Sequence, residues 1–268
     1  MIPLAAVLGD PIAHSRSPRL HGHWLARYSL PGHYIPLHVR GDDLARTLEL
    51  MPRLGFVGAN VTLPHKIAVL QTAHSITPTA MRIGSANTLT FHEDGFEADN
   101  TDAYGFTWNI LDHFPDWRPR RAAVLGAGGA SRAIIVALQD MGATEIRLTN
   151  RSPETGKALA QEFGVTFVDW GQRNAALDGC DTLVNATSLG MTGKPPLEIS
   201  LKDLARGALV TDLVYTPLET PLLAAARDAG HRVVDGLGML LHQAVPGFER
   251  WFGVKPEVSA DLRSAVLA

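Results

Sequence analysis

Residues 121–133 read Arg121-Ala122-Ala123-Val124-Leu125-Gly126-Ala127-Gly128-Gly129-Ala130-Ser131-Arg132-Ala133. A short apolar run enters the glycines, and an apolar-periodic stretch leaves them as far as Met141. That order is strand, turn, helix, the arrangement that sets backbone N–H groups against a pyrophosphate. The first glycine permits the tight turn, and the second keeps a Cβ out of the phosphate's way. The sixth position of the usual fingerprint is Ser131 instead of Gly or Ala, so the turn alone reads equally well as an ordinary β–α connection.

The next segment adds to it. The helix 129–141 is expected to end at Gly142, and Glu145–Thr149 reads as the following strand. An NAD site carries Asp or Glu at the end of that strand, to bond the ribose 2′-hydroxyl. Here the chain has Asn150-Arg151-Ser152. A carboxylate would repel a 2′-phosphate, whereas the fork of Arg151 pairs with one, so the expectation is NADP. Further strands are expected at 165–168, 181–184, 208–212 and 232–234, which makes a doubly wound α/β domain.

The turn begins about 120 residues into a chain of 268, so another unit precedes it. That stretch also alternates. Strands are expected at 4–8, 34–39 and 56–62, and helical patterns at 42–51 and from Pro64 through Gln71. Ser17-Pro18 reads as a helix cap followed by proline in the first turn, with Leu20, Trp24, Leu25 and Tyr28 on one apolar face. Residues 87–91 and 96–99 flank the hairpin signal His92-Glu93-Asp94-Gly95, and a helix starts near Asp102. Strand–helix alternation predicts a mostly parallel sheet. Two helical patterns, 239–252 and 257–267, lie beyond the last strand and are free to fold back on the first domain.

Composition excludes several classes. Hydrophobic residues are 46% and charged residues 19%, the balance of a globular protein with a substantial core. A net charge of −3 argues against a general nucleic-acid binder. No apolar run reaches membrane-spanning length, and Met1-Ile2-Pro3-Leu4 carries no basic leader, so no membrane role is expected. Cys180 is the only cysteine, which rules out an intrachain disulfide and suggests a cytoplasmic setting with Cys180 as a small buried hydrophobe. The 11 histidines show no helical zinc spacing with a glutamate, so no metal is expected.

Three polar clusters lie where apolar elements of the first unit end. His14-Ser15-Arg16-Ser17-Pro18 sets two hydroxyls at a helix N-terminus. Asn60-Val61-Thr62-Leu63-Pro64-His65-Lys66 stands at a strand-to-helix junction. Lys66 is the sole lysine before Lys157, in a chain where arginine is the default cation, which points to a need for a compact amine. Asn100-Thr101-Asp102 is the third cluster, and Asp102 is either a helix cap or a carboxylate facing a cleft.

These clusters, with Gly84-x-x-Asn87-Thr88, the glycine turn, Asn150-Arg151, Asn185-Ala-Thr187-Ser188-x-Gly190-Met191, Asp212-x-x-Tyr215 and Asp235-Gly236-Leu-Gly-Met-Leu240 through Gln243-Ala244, resemble the shikimate dehydrogenase family, in order from about residue 7 to residue 252. The resemblance implies NADP-dependent interconversion of 3-dehydroshikimate and shikimate, a step toward chorismate and the aromatic amino acids. It implies a substrate-binding domain, 1–103 completed by 239–268, and a Rossmann-like NADP domain, 104–238, around a cleft. By family role Ser15, Ser17 and Tyr215 hold the substrate carboxylate, with Thr62 nearby. Asn60, Asn87, Asp102 and Gln243 bind ring hydroxyls, and Lys66 is the acid–base group assisted by Asp102. Gly126, Ala127, Gly128, Gly129, Ala130, Asn150, Arg151, Ser152, Thr187, Ser188, Met191, Leu213 and Gly236 line the cofactor site.

Hydride arriving at a ketone leaves an alkoxide that needs a proton and a nearby positive charge, which an ammonium supplies. Whether Lys66 or Asp102 moves the proton stays open. Three positions depart from the family pattern: Arg16 stands where a small or apolar residue is common, Ala103 where glycine is usual, and Thr155 where many NADP users have a second cation. A dual-specificity quinate and shikimate enzyme that uses NAD is the alternative within enzymes. A catalytically silent NADP-binding sensor is the alternative outside them, but it has no reason to keep Lys66, Asp102, Asn87 and Gln243 together. The oligomeric expectation is monomer or homodimer.

Overall fold

The computed structural model describes residues 2–268. It divides into one unit of Met1–Gly105 with Leu241–Ala268 and a second of Phe106–Leu240.

The first unit runs β1 (Leu4–Gly9), α1 (Ser17–Arg27), β2 (His33–His38), α2 (Leu44–Leu50), β3 (Phe56–Val61), β4 (Ser75–Ile76), α3 (Pro78–Ile83), β5 (Thr88–His92) and β6 (Gly95–Asp99), and enters α4 (Asp102–His113). Its sheet has the order β2-β1-β3-β5-β6-β4. The expected hairpin is there, and within this sheet β5 alone runs against the others. Central β1 is buried on both faces, as a strand covered by helices on both sides requires. Ala6 and Leu8 join the core cluster of Leu48, Val61, Leu89 and Phe96, while Ala5 and Val7 face Tyr34 and Trp251. The register sets Asn60 opposite Thr88, and Thr88 opposite Asp99, in one row across β3, β5 and β6.

The second unit runs β7 (Arg121–Leu125), α5 (Gly129–Asp140), β8 (Glu145–Asn150), α6 (Pro153–Phe163), β9 (Thr166–Asp169), β10 (Thr182–Asn185), β11 (Leu209–Asp212), α7 (Pro221–Asp228) and β12 (Arg232–Val234). All neighbours in the order β12-β11-β10-β7-β8-β9 are parallel. This is the doubly wound order, in which the strand sequence reverses between β7 and β10, beside the glycine turn. The chain returns to the first unit within α8 (Leu237–Phe252) and ends with α9 (Ala260–Leu267).

Three local expectations change. Ser17 does not cap α1 but is its first residue, with Arg16 in the cap position and no side-chain cap bond. Pro64 opens no α-helix; only a 3₁₀ turn, Ala68–Gln71, forms. A tertiary bond claims a carbonyl that a helix needs, since Lys66 O accepts from Ala86 N (2.7 Å), and the local bond from His65 N to Thr62 O (2.8 Å) closes a tight turn instead. Asp102 is not a cap but the first residue of α4, its own N–H held by Asn100 Oδ1 at 3.0 Å.

His21, on α1, is fully buried and stacks on the Tyr34 ring with centroids 3.9 Å apart. Neither ring nitrogen has a partner, and burial lowers its pKa to about 3. The unfolded chain takes up this proton below pH 6.5 and the folded chain only near 3. Folding stability therefore falls as pH drops through that window and is independent of His21 above it. Melting temperatures recorded from pH 7 to pH 4 are expected to decline less steeply for His21→Phe than for the natural chain; equal slopes would refute this.

Candidate functional site

The first unit gathers a polar cluster at one end of the β3–β5–β6 row. Lys66 Nζ lies 2.5 Å from Asp102 Oδ2, with the lysine side chain 16% exposed and the aspartate 6%. Asn87 Nδ2 donates to Asp102 Oδ1 (2.9 Å) and to Gln243 Oε1 (2.7 Å). The orientation of that amide is forced. Asn87 Oδ1 accepts from the backbone N–H of Thr101 (2.8 Å) and from the hydroxyls of Thr101 and Thr88 (3.1 and 3.0 Å). Both Nδ2 protons are then committed to Asp102 and Gln243.

Asn60 lies behind this group, buried and fully engaged. Its Nδ2 donates to Asn87 O (3.0 Å) and Thr88 Oγ1 (3.2 Å), and its Oδ1 accepts the Tyr34 hydroxyl at 2.6 Å. Burial pushes the Tyr34 phenol well above its usual pKa, so it stays a donor. Ser17 hydrogen-bonds the same phenol. Ser15 Oγ accepts from Ser17 N at 3.3 Å, which places both hydroxyls in one turn. Arg16, between them, donates from Nη1 to Val266 O at 2.7 Å, so this departure from the family pattern braces α9. Thr62, half-buried, follows β3, and Gly9 makes room for it: a Cβ there would lie 2.6 Å from Thr62 Cγ2.

Lys66, Asp102, Asn87 and Gln243 thus come together, with Asn60 in contact behind them and Ser15 and Ser17 joined to the network through Tyr34. Lys66 and Gln243 carry N–H groups beyond the bonds described, and the Asp102 carboxylate, which accepts from Lys66 and Asn87, is the acceptor of the set. Such a set suits a compact ligand with adjacent hydroxyl and carbonyl oxygens.

In the second unit, Gly126 holds φ +99°, a left-handed conformation, and a Cβ there would meet Ala186 O at 3.1 Å. Gly128 caps α5 with no side-chain bond, and a Cβ at Gly128 or Gly129 would meet nothing within 4 Å. The first N–H groups of α5, from Gly129 and Ala130, have no carbonyl within the helix to bond, and nothing crowds the adjoining glycines, which fits a pyrophosphate. Ala127 N donates to Asn150 Oδ1 at 3.1 Å, which ties the turn to the end of β8. Arg151 and Ser152 are exposed there, and Ser152 Oγ pairs with Thr155 Oγ1 at 3.1 Å. The absence of a carboxylate at that strand end fits a 2′-phosphate.

The ends of β10 and β11 are fastened by Asp212, which sequence reasoning left without a role. It is fully buried and accepts Asn185 Nδ2 (2.9 Å), Val214 N (3.0 Å) and Thr220 Oγ1 (2.7 Å). Burial raises its pKa, and those three donors oppose the rise. Asn185 Oδ1 in turn accepts Thr187 N (3.1 Å) and Thr187 Oγ1 (2.7 Å). Ser188 and Met191 follow on the same loop, where Met191 N donates to Ser188 O at 3.3 Å. Leu213 N donates to Asn185 O at 2.9 Å. Gly236 packs on this loop so closely that a Cβ would lie 2.5 Å from Leu213 O. Tyr215 is half-buried in the segment between β11 and α7 of this second unit.

Comparison with known proteins follows the same residues. The family model for the shikimate dehydrogenase substrate binding domain matches residues 7–89, that for shikimate / quinate 5-dehydrogenase residues 110–192, and that for the shikimate 5′-dehydrogenase C-terminal domain residues 236–265. A shikimate dehydrogenase (NADP(+)) of Paracoccus denitrificans is 58% identical over 271 residues, which is 99% of this chain and 96% of the relative. The chain belongs to the shikimate dehydrogenase family. Another family member, from Cereibacter sphaeroides, is 58% identical over 100% of this chain and 98% of its own length. Among solved structures, shikimate 5-dehydrogenase of Thermus thermophilus, in complex with NADP(H) and shikimate, has a TM-score of 0.88 at 35% identity, covering 100% of this chain and 99% of that one. A quinate dehydrogenase of Corynebacterium glutamicum in complex with NAD has a TM-score of 0.92 at 30% identity, covering 98% of each chain.

Tyr34, Asp99 and Arg250 are residues of the first unit that sequence reading missed. Thr88 and Thr101 lie within the motifs but had no role from sequence, and in the structure both hydroxyls orient the Asn87 amide. Among the described residues no helix is long and apolar enough to cross a membrane.

Proposed function

We propose that this chain interconverts 3-dehydroshikimate and shikimate with NADP. The observation that carries the reading is the Lys66–Asp102 contact at 2.5 Å, with Asn87 joining Asp102 to Gln243. NADPH, when bound, supplies the hydride. Gly126, Ala127, Gly128, Gly129 and Ala130 hold its pyrophosphate, Asn150, Arg151 and Ser152 its 2′-phosphate, and the loops of Thr187, Ser188, Met191, Leu213 and Gly236 its nicotinamide end. Ser15, Ser17, Thr62 and Tyr215 hold the substrate carboxylate. Gln243 donates to a ring oxygen, and Asn87 fixes the faces that Gln243 and Asp102 present. Asn60 acts from behind, since its amide is already engaged.

At the reacting carbon the carbonyl oxygen gains charge and must gain a proton. Lys66 Nζ–H gives that proton while Asp102 holds Nζ in place and accepts the neighbouring hydroxyl. In the oxidative direction the same nitrogen takes the proton back. On this reading the reaction is cytoplasmic, in keeping with a single cysteine that allows no intrachain disulfide. Cys180 itself is free and buried, and burial pushes its pKa up to about 11, which leaves it unreactive.

One feature favours NAD as a second cofactor. Thr155 offers a hydroxyl instead of a second cation, and Lys157 lies 5.8 Å from the Phe167 ring centroid. A grid of shikimate and quinate, each with NADP and NAD, tests both readings. Shikimate with NADP is expected to give the highest kcat/KM, and a ratio near one between the two cofactors would overturn the NADP assignment. Arg151→Ala should then lower the NADP-to-NAD preference on the order of 10- to 100-fold, the value of a charge-assisted phosphate bond, with kcat/KM for NAD unmoved.

A further inference from the structure

Arg250 takes no part in the family pattern and lies about 10 Å along α8 from Gln243, two helical turns away on the same face. Its Nη2 donates to Asp99 Oδ2 at 2.6 Å. Asp99 ends β6 and is 7% exposed. The other oxygen of that carboxylate accepts Asn100 N (2.8 Å) and Thr77 Oγ1 (2.6 Å). Asn100 Oδ1 then accepts Asp102 N at 3.0 Å, Asp102 Oδ1 accepts Asn87, and Asn87 also donates to Gln243. Gln243 returns the path to α8. The contacts form a closed ring, and Arg250–Asp99 is its one side-chain ion pair that touches neither Lys66 nor any expected substrate contact.

We infer that Arg250 is a positioning residue for the proposed reaction, setting Gln243 and Asp102 at a fixed spacing by clamping α8 to the start of the Asn100–Asp102 turn. The physical ground is the geometry of the ring. Gln243–Asn87 ties α8 to the start of β5, and Trp251 Nε1 ties its far end to Leu89 O on the same strand. Arg250–Asp99 adds the tie to β6, the strand that leads directly into the Asn100–Asp102 turn, and so sets Gln243 against Asp102. Asp99 gains as much as α8 does, because a nearly buried carboxylate that loses its cation is costly and its turn rearranges to rehydrate it. Guanidinium suits the task, since its planar fork gives a directional bond that an ammonium gives less well.

The inference rests on the shikimate reading of the site, and the experiment separates the two. Arg250→Met and Arg250→Lys are compared with the natural chain for shikimate KM, kcat, NADPH affinity by fluorescence titration, and melting temperature. R250M is expected to raise shikimate KM about tenfold, within the cost of a small misplacement of a positioning group. NADPH affinity is expected to stay unmoved, and R250K to recover most of the loss. A purely structural role would lower the melting temperature but leave the shikimate KM of the folded R250M protein unchanged, and that result overturns the inference. A matched loss of shikimate and NADPH binding overturns it too. Absence of shikimate turnover by the natural chain overturns the reading and the inference together. Should R250M fail to fold, R250K and Asp99→Asn carry the same comparison, with D99N expected to raise shikimate KM and leave NADPH affinity unmoved.

Discussion

Lys66→Ala is expected to lower kcat by about 10²–10⁴-fold, the range of general acid–base catalysis, with a much smaller change in shikimate KM. The expectation comes from what the side chain touches. Lys66 Nζ is 2.5 Å from Asp102 Oδ2, and both side chains are largely buried. In the ground state the substrate keeps its contacts to Gln243, Asp102 and the serine hydroxyls when the amine is gone. In the transition state the developing alkoxide loses its only proton source and its nearest positive charge. That difference between states is what kcat reports. If kcat held and only KM rose, Lys66 would be a binding residue. Removing the amine also leaves Asp102 buried with only the Asn87 N–H, so the melting temperature must be measured alongside. Asp102→Asn is the companion variant. It keeps an oxygen toward Asn87 but turns the Oδ2 position into a second donor facing Nζ, so it tests whether orientation of the amine is the task of Asp102.

The glycine turn disclosed the second unit because its chemistry is local. A positive φ, a Cβ-free approach and a helix N-terminus fall within a few consecutive residues, and the sequence around Gly126 records all of them. The same holds for Asn150-Arg151, where a strand end and its side chains are adjacent in the chain. The first unit's chemistry became readable only once nine spaced motifs were taken together. Lys66 and Asp102 are 36 residues apart and Asn87 and Gln243 are 156 apart, separations at which no periodicity carries information. What composition and spacing missed has one physical cause. Tyr34, Asp99 and Arg250 never meet a proposed ligand contact within their own segment, and their roles exist only through the register of β3, β5 and β6 and the docking of α8. Pro64 misled for the opposite reason. It carries a local helix-start signal, and a tertiary hydrogen bond from Ala86 N outweighed it at Lys66 O, whereas the Ser17 signal did start α1, one residue from the expected cap.

Gly58→Ala is expected to lower the stability of the first unit by about 3 kcal/mol, from overpacking together with a lost buried hydrogen bond. Gly58 is in β3, and a Cβ built on it would run into the Trp251 indole at Nε1 and Cδ1 and lie 2.5 Å from Leu89 O. The missing Cβ is what lets Trp251, on α8, reach across β3 and donate from Nε1 to Leu89 O at 3.0 Å. That bond satisfies an indole N–H that is otherwise buried without a partner, and Trp251 is only 5% exposed. An added methyl therefore costs twice, through strain against a backbone carbonyl and through loss of the indole's acceptor. For a chain of this size the loss corresponds to a melting temperature lower by roughly 6–12 °C. A functional signature accompanies it, because the helix displaced is the one that carries Gln243 and Arg250. Shikimate KM should rise in the folded variant while NADPH affinity, which depends on the second unit, stays the same. The double variant Gly58→Ala with Trp251→Leu removes the colliding ring and its donor together. It should be more stable than the two single losses added, since the added methyl then meets no indole. Strict additivity in that cycle would show that Gly58 and Trp251 act independently and would defeat the account of how α8 is seated.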